Sequence, residues 1–149
     1  MENTGNTASS ARAVIDRLLG ATNDHDIDAL VGCFAPDYVN ETPGHPARGF
    51  RGSDQVRRNW TQIFAAVPHL TATMPGQAEA TGPDGENLVW TEWQMSGSRR
   101  DGSAHLMRGV IIFTVSQAQI TAARFYLEPV DAGDDSVEAA VASQVAGRP

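Results

Sequence analysis

The stretch Ala104–Val130, AHLMRGVIIFTVSQAQITAARFYLEPV, reads as two long strands joined by a short turn, and the rest of the chain can be read as a cover for that hairpin. From His105 to Val115 the residues are almost continuously apolar and rich in β-branched side chains, the pattern of a strand covered on both faces. Arg108 interrupts it. After the polar turn Ser116–Gln119, the run from Ile120 alternates, with Arg124, Tyr126 and Glu128 on one face and Ala123, Phe125 and Leu127 on the other. Pro129 has no N–H to donate and ends the pairing.

Working outward, Leu70–Ala80 and Asn87–Ser96 are two further strands, and turns at Gly82-Pro83-Asp84-Gly85 and Arg99-Arg100-Asp101-Gly102 join all four into an antiparallel meander. Ahead of them Val56, Trp60, Ile63, Phe64 and Val67 recur at helical spacing between Ser53, which can cap, and Pro68, which stops the helix. Five prolines and glycines (Pro43, Gly44, Pro46, Gly49, Gly52) exclude regular structure between Thr42 and Ser53. Tyr38–Thr42 alternates as a short strand, with Tyr38, Asn40 and Thr42 on one side and Val39 and Glu41 on the other.

Two helices precede that strand. The first runs from Ser9 or Ser10 to Asn23-Asp24 on a stripe of Ala11, Val14, Ile15, Leu18 and Leu19. The second is short, capped by Asp26, with Ala29, Leu30, Cys33 and Phe34 inside and Ala35-Pro36-Asp37 as its stop. Residues 1–8 form a flexible N-terminus, residues 9–130 the domain, and residues 131–149 a tail or final helix capped by Asp135 or Ser136, with Val137, Val141 and Val145 on one stripe. The result is an α+β domain: three N-terminal helices packed in the concave face of a curved antiparallel sheet, leaving a pocket at the open end of the cone.

A chain of 149 residues, 41% hydrophobic and 19% charged, is the size of one soluble globular domain. Its net charge of −7 argues against binding nucleic acid, which needs a basic face. The start MENTGNTASS lacks the positive and apolar regions of a signal peptide, and no apolar run approaches the ~20 residues that span a bilayer. A cytoplasmic protein without membrane contact is the expectation. Cys33 is the single cysteine and reads as a packed thiol on an apolar stripe. The four histidines, His25, His45, His69 and His105, show no paired spacing, so no metal site is expected.

The element order, together with FAPDYVNETP at 34–43, GFRGSDQVRRNW at 49–60, RGVIIF at 108–113 and ITAARFYLEPV at 120–130, resembles the nuclear transport factor 2-like superfamily, and within it the SnoaL-like polyketide cyclase group. The resemblance covers residues 10–130. It implies acid–base chemistry that needs neither cofactor nor metal: a carboxylate takes an acidic proton beside a carbonyl, and the enolate closes a ring by aldol addition. In the related ketosteroid isomerases the base stands on the strand after the short second helix, and Glu41 matches that place. Leu18 stands where those isomerases carry an oxyanion-holding tyrosine. Ile111 fills the position of an acid common in the RG-x-D-x-F segment of SnoaL-like sequences, and Ala123-Arg124 that of a His-Trp pair.

The candidate catalytic residues are Glu41, Glu92, His105, Arg108 and Glu128, and the candidate substrate-binding residues are Asn40, His45, Trp60, Phe64, Trp90 and Tyr126. Desolvation inside an apolar cone would raise the pKa of Glu41 and make it a base near neutral pH. Glu92, between Trp90 and Trp93, has Arg108 on the next strand as its obvious partner, for structural pairing or for anion recognition. If Val115 faces Ile120, Met107 lies opposite Glu128 with His105 one diagonal further; a slip of one residue would bring Arg108 there instead. His45 lies in the loop that could close the mouth. The expected function is a polyketide cyclase-like cyclisation or isomerisation of an apolar, carbonyl-bearing small molecule. Two alternatives stand beside it: a non-catalytic small-molecule binding protein, and an epoxide hydrolase-like enzyme in which Glu92, Arg108 and Glu128 hold the attacking water. A homodimer through the sheet is expected as well, on Val110, Ile112, Phe125 and Leu127.

Overall fold

The computed structural model describes residues 4–131, 133 and 135–147. Helix α1 (Thr4–Asp24) starts before the serines that were expected to cap it, so only residues 1–3 of the expected flexible N-terminus lie outside the described residues. Its stripe is buried through Ala11, Val14, Ile15, Leu18 and Ala21. The helix ends on His25, in a left-handed conformation (φ 53°). The His25 N–H bonds to Thr22 O at 3.2 Å and the Asp26 N–H to Ala21 O at 3.0 Å, the paired closure that satisfies the last carbonyls of a helix. Glycine would suit that backbone better, but the imidazole stacks on Phe64 at a centroid distance of 4.3 Å and its Nε2 lies 2.8 Å from Leu70 O. Helix α2 (Ile27–Gly32) follows, with Asp26 Oδ1 accepting from the Ala29 N–H at 3.1 Å.

Strand β1 (Phe34–Glu41) begins four residues earlier than Tyr38 and runs through Pro36. Phe34 therefore belongs to a strand and not to the helical stripe. Pro36 is tolerated because the pairing of β1 with its neighbour lapses between Phe34 and Val39, so no ladder donor is missing there. The glycine- and proline-rich loop holds a 3₁₀ turn (Pro46–Arg48) and a two-residue strand, β2 (Phe50–Arg51). Helix α3 (Ser53–Ala66) has Gly52, φ 94°, at its cap position, so Ser53 is its first helical residue and not its cap. Strands β3 (Thr71–Thr81), β4 (Asn87–Ser98), β5 (Ala104–Ser116) and β6 (Gln119–Pro129) form the expected meander. Helix α4 (Val137–Val145) is capped by Ser136 and holds its valine stripe in solvent.

The six-stranded sheet has the order β2-β1-β6-β5-β4-β3, and it is mixed, because β1 lies parallel to β6. Its inner face carries Tyr38 and Asn40, Val89, Thr91, Trp93 and Met95, Ile111 and Phe113, and Ala123, Phe125 and Leu127. Helix α1 contacts β3, β4, β5 and β6, whereas α3 contacts β1. Coverage is thus incomplete toward α3, and the cone stays open there.

Gln117 (φ 51°) and Ala118 (φ 63°) turn β5 into β6, both in the left-handed region that Asn-Gly pairs prefer. Ala118→Gly should raise stability by about 1 kcal/mol in urea unfolding, with unchanged function. One residue beyond the turn, the ladder slips: Val115 pairs Ile120 as expected, but Thr114 pairs Ala122, leaving Thr121 as a bulge. Every downstream partner moves by one, so Arg108, not Met107, lies opposite Glu128.

Candidate functional site

The open end of the cone is a cavity of 270 Å³ between α3 and the inner sheet face. Strand β1 supplies Tyr38 and Asn40, α3 supplies Val56, Asn59, Trp60 and Ile63, and the central strands supply Met95, Met107, Phe125 and Leu127. Thr42 and Arg48, from the loop between β1 and β2, stand at the wall nearest solvent. A further void of 30 Å³ continues inward past Trp60, Met95 and Phe125 toward Leu18, Thr22 and Phe113. Two flexible methionines on the sheet side give this wall some freedom to adapt its shape.

The polar groups are few and specifically aimed. Tyr38 is almost fully buried and donates its hydroxyl to Asn40 Oδ1 at 2.7 Å. Burial pushes the phenol far above its ordinary range, so it stays a neutral donor. Asn40, 7% exposed, spends its oxygen on that bond, and its Nδ2 is left to the cavity without a protein partner among the described residues. Asn59 Oδ1 accepts from Gln55 Nε2 at 2.7 Å.

None of the five expected catalytic residues lines this cavity. Glu41 is exposed on the outer face of the sheet, opposite Arg124, because Asn40 takes the inward position and a regular strand cannot turn two neighbours inward. Glu92 is exposed on that same outer face, in register with Val110 and Gly76. The expected Glu92–Arg108 pairing is not formed: Arg108 stands in register with Gln94 and Glu128, one row away. His105 lies at the far end of β5, opposite Gly97, with Arg99 Nη2 3.5 Å from its Nδ1. The His–Glu neighbourhood exists, but its histidine is His45, whose Nε2 lies 3.0 Å from Glu128 Oε1, and neither residue lines the cavity. Asn40 and Trp60 do line the cavity. Phe64 is held beneath it against His25, and Trp90 and Tyr126 face away, on the outer side. Phe125 and Leu127 line the cavity, so of the four apolar residues expected at a dimer face only Val110 and Ile112 are on the outer side.

Arg48 and Asn59 were missed by the sequence reading. Arg48 sits in a loop with no periodicity, and Asn59 precedes Trp60 on a helix whose periodic signal is its apolar stripe. A polar residue one step from the centre of an apolar stripe is the available signal for a cavity wall.

Burial and, secondarily, the Arg99 guanidinium depress the pKa of His105 below its ordinary 6.5. The unfolded chain then binds the proton more readily, so folding stability falls as pH drops below about 6.5. His105→Asn should flatten that part of the stability profile in thermal unfolding between pH 7 and 5, and a profile identical to the parent would refute the assignment. Cys33 is buried, with Sγ donating to Ala29 O at 3.4 Å, and burial raises its thiol pKa against the opposing field of Arg17. Such a thiol is inert. Among the described residues no three His, Cys, Asp or Glu side chains come together as a metal-binding group, and no helix is long and apolar enough to cross a membrane.

A family model described as a SnoaL-like domain matches residues 15–123. No curated protein matches the chain. Among solved structures, the chain is similar to an LEH-like epoxide hydrolase of Mycobacterium tuberculosis, at 20% identity and a TM-score of 0.65 over 80% of this chain and 84% of that one. It is also similar to an M. tuberculosis protein in complex with estradiol-17β-hemisuccinate, at 21% identity and a TM-score of 0.66 over 78% and 92%. An NTF2-like protein of unknown function from Exiguobacterium sp. 255-15 matches at 19% identity and a TM-score of 0.64 over 79% and 98%. At these identities the likeness is one of fold.

Proposed function

We propose that this chain, which belongs to the SnoaL-like domain family, takes up one apolar, carbonyl-bearing small molecule in the cone and acts as its binding protein. The observation that carries this reading is the make-up of the wall. It is apolar apart from Tyr38, Asn40, Thr42, Arg48 and Asn59, and no carboxylate or imidazole is among its lining residues. A proton abstraction beside a carbonyl needs a base within hydrogen-bond reach, and Glu41 faces the other way. An amide N–H on an apolar wall, by contrast, orients a carbonyl oxygen without reacting with it. Trp60 supplies the apolar platform and Asn40 the polar fix. The solved structure of similar fold in complex with estradiol-17β-hemisuccinate supports this fold as one that takes up a small molecule.

Native mass spectrometry of the protein from its own host, followed by extraction, should return one apolar small molecule per chain. An empty protein that also binds none of a panel of hydrophobic carbonyl compounds would overturn the proposal.

A second reading, an acid–base enzyme, is favoured by the His45–Glu128 pair at 3.0 Å. A carboxylate on one ring nitrogen orients an imidazole and leaves the other nitrogen free to take a proton. Turnover of a bound carbonyl compound that disappears in His45→Gln, with affinity kept, would move the assignment to this enzyme. The same proposal includes a homodimer through the outer sheet face. Trp90 (43% exposed) and Tyr126 (45% exposed) flank the half-buried Val110 there, over the buried Ile112, bordered by Glu41, Glu92 and Glu128 and by Arg108 and Arg124. Mixed charge around an apolar centre suits a self-complementary two-fold contact. A monomer in sedimentation at high protein concentration would refute it.

A further inference from the structure

The cavity reads its ligand's charge as well as its shape, and this inference rests on the binding reading above. Each fixed amide at the wall has its acceptor already engaged. Asn40 Oδ1 takes the Tyr38 hydroxyl at 2.7 Å, which leaves Nδ2 to the cavity. The orientation of Asn59 is set by a relay. Arg58 Nη2 donates to Gln55 Oε1 at 2.6 Å, and a guanidinium can only donate, so the Gln55 oxygen must face it. The Gln55 nitrogen then points to Asn59 and donates to Oδ1 at 2.7 Å, and the Asn59 nitrogen is what remains free. The Arg48 guanidinium, at the mouth, presents donors alone and has no ion-pair or hydrogen-bond partner among the described residues. This is a cation without a counter-charge, in a protein of net charge −7, beside a wall with no carboxylate.

An apolar cavity whose fixed polar groups offer N–H and few acceptors leaves a hydroxyl- or amine-bearing ligand unpaired, and it rewards one that brings acceptors. We infer that the ligand is an apolar carboxylic acid carrying a second, neutral carbonyl oxygen. Its carboxylate lies near the solvent side, at Arg48 and the free Asn59 amide nitrogen, and the carbonyl lies deeper, at Asn40. Arg48 and Asn59 are the specificity-determining residues, and Gln55 is a positioning residue that acts through Asn59. At 270 Å³ the space is at the small end of ligand sites, which suits a compact molecule of one to three rings.

The probe pair is 4-(2-naphthyl)-4-oxobutanoate and its methyl ester, equal in ring and ketone and different in charge. Isothermal titration at pH 7 should give the acid an affinity about tenfold or more above the ester, as charge-assisted hydrogen bonds imply. Arg48→Gln, an exposed loop change, should bring that ratio close to one by lowering the acid's affinity. Gln55→Met should narrow the ratio a few-fold, a readout that a merely structural role for Gln55 would not move. Equal affinity of acid and ester overturns the charge inference and leaves the cone-binding reading standing. Binding of neither overturns both. An acid preference that survives in Arg48→Gln overturns the assignment of Arg48.

Discussion

Gly109→Ala is expected to cost about 3 kcal/mol or more of folding stability, a large part of the total that holds a domain of this size together. Gly109 lies between Trp93 on β4 and Leu127 on β6, at the centre of the sheet. A Cβ there would stand 2.1 Å from Tyr126 O and 2.8 Å from Leu127 Cα. Both are backbone atoms of a paired strand, so relief requires parting β5 from β6 along the wall that carries Phe125 and Leu127. The φ of 157° adds to the difficulty for any side chain. Gly76 is the control. A Cβ at Gly76 meets the Glu92 carboxylate, the far end of an exposed and flexible side chain, which can swing away. Gly76→Ala should therefore change the urea midpoint little, while Gly109→Ala shifts it far or prevents folding. Equal midpoints for the two variants would show that the sheet yields at Gly109.

The same glycine illustrates what could be read in advance. Its strand was legible because β-branched residues fill it, and the alternation divided Arg124, Tyr126 and Glu128 from Phe125 and Leu127 correctly. It did not show which set faces inward: Phe125 and Leu127, expected at an outer dimer face, line the cavity, and Tyr126 and Glu128, expected at the pocket, face out. The helical stripe of α1 and the turn at Gln117-Ala118 were legible for the same reason: each is a local pattern. The pairing of β1 was not. It depends on a parallel contact between residues more than eighty positions apart, with a lapse around Pro36 that no local pattern encodes. The bulge at Thr121 was equally hidden, because one extra residue on one strand leaves the alternation on both sides intact while it shifts every partner.

Errors of that kind fall hardest on a site. Glu41 and Asn40 are neighbours, and which of them faces inward is decided by the β1 partner; the carboxylate was the better chemical candidate and the amide took the position. Arg48 and Asn59 come from a loop and from the margin of a helical stripe. They are joined only by a cavity whose walls are drawn from α3, five strands and a loop. Chemistry-bearing residues were visible one at a time. Their convergence was not.

Tyr38→Phe isolates the bond that aims the amide at the cavity. Removal of the hydroxyl leaves Asn40 Oδ1 in a site only 7% exposed, with no other donor on it among the described residues. A buried acceptor left unpaired costs about 1–3 kcal/mol, while the loss of one well-solvated hydrogen bond would cost less than about 1. The expected outcome is therefore destabilisation by about 2 kcal/mol in urea unfolding, although the ring and its packing against Phe34 and Phe50 are kept. Asn40→Leu alone should cost a similar amount, because it orphans the Tyr38 hydroxyl instead. The double variant removes both partners, so its cost should fall short of the sum by about 1 kcal/mol or more. Function separates from stability in the same series. In Tyr38→Phe the Asn40 amide is free to rotate and present its oxygen, so the naphthyl ketone should bind about tenfold more weakly even where the protein is fully folded. A hydroxyl-bearing analogue of the ketone should lose less, since a rotated amide can accept from it. If both analogues weaken equally, the tyrosine shapes the wall and does not set the direction of Asn40.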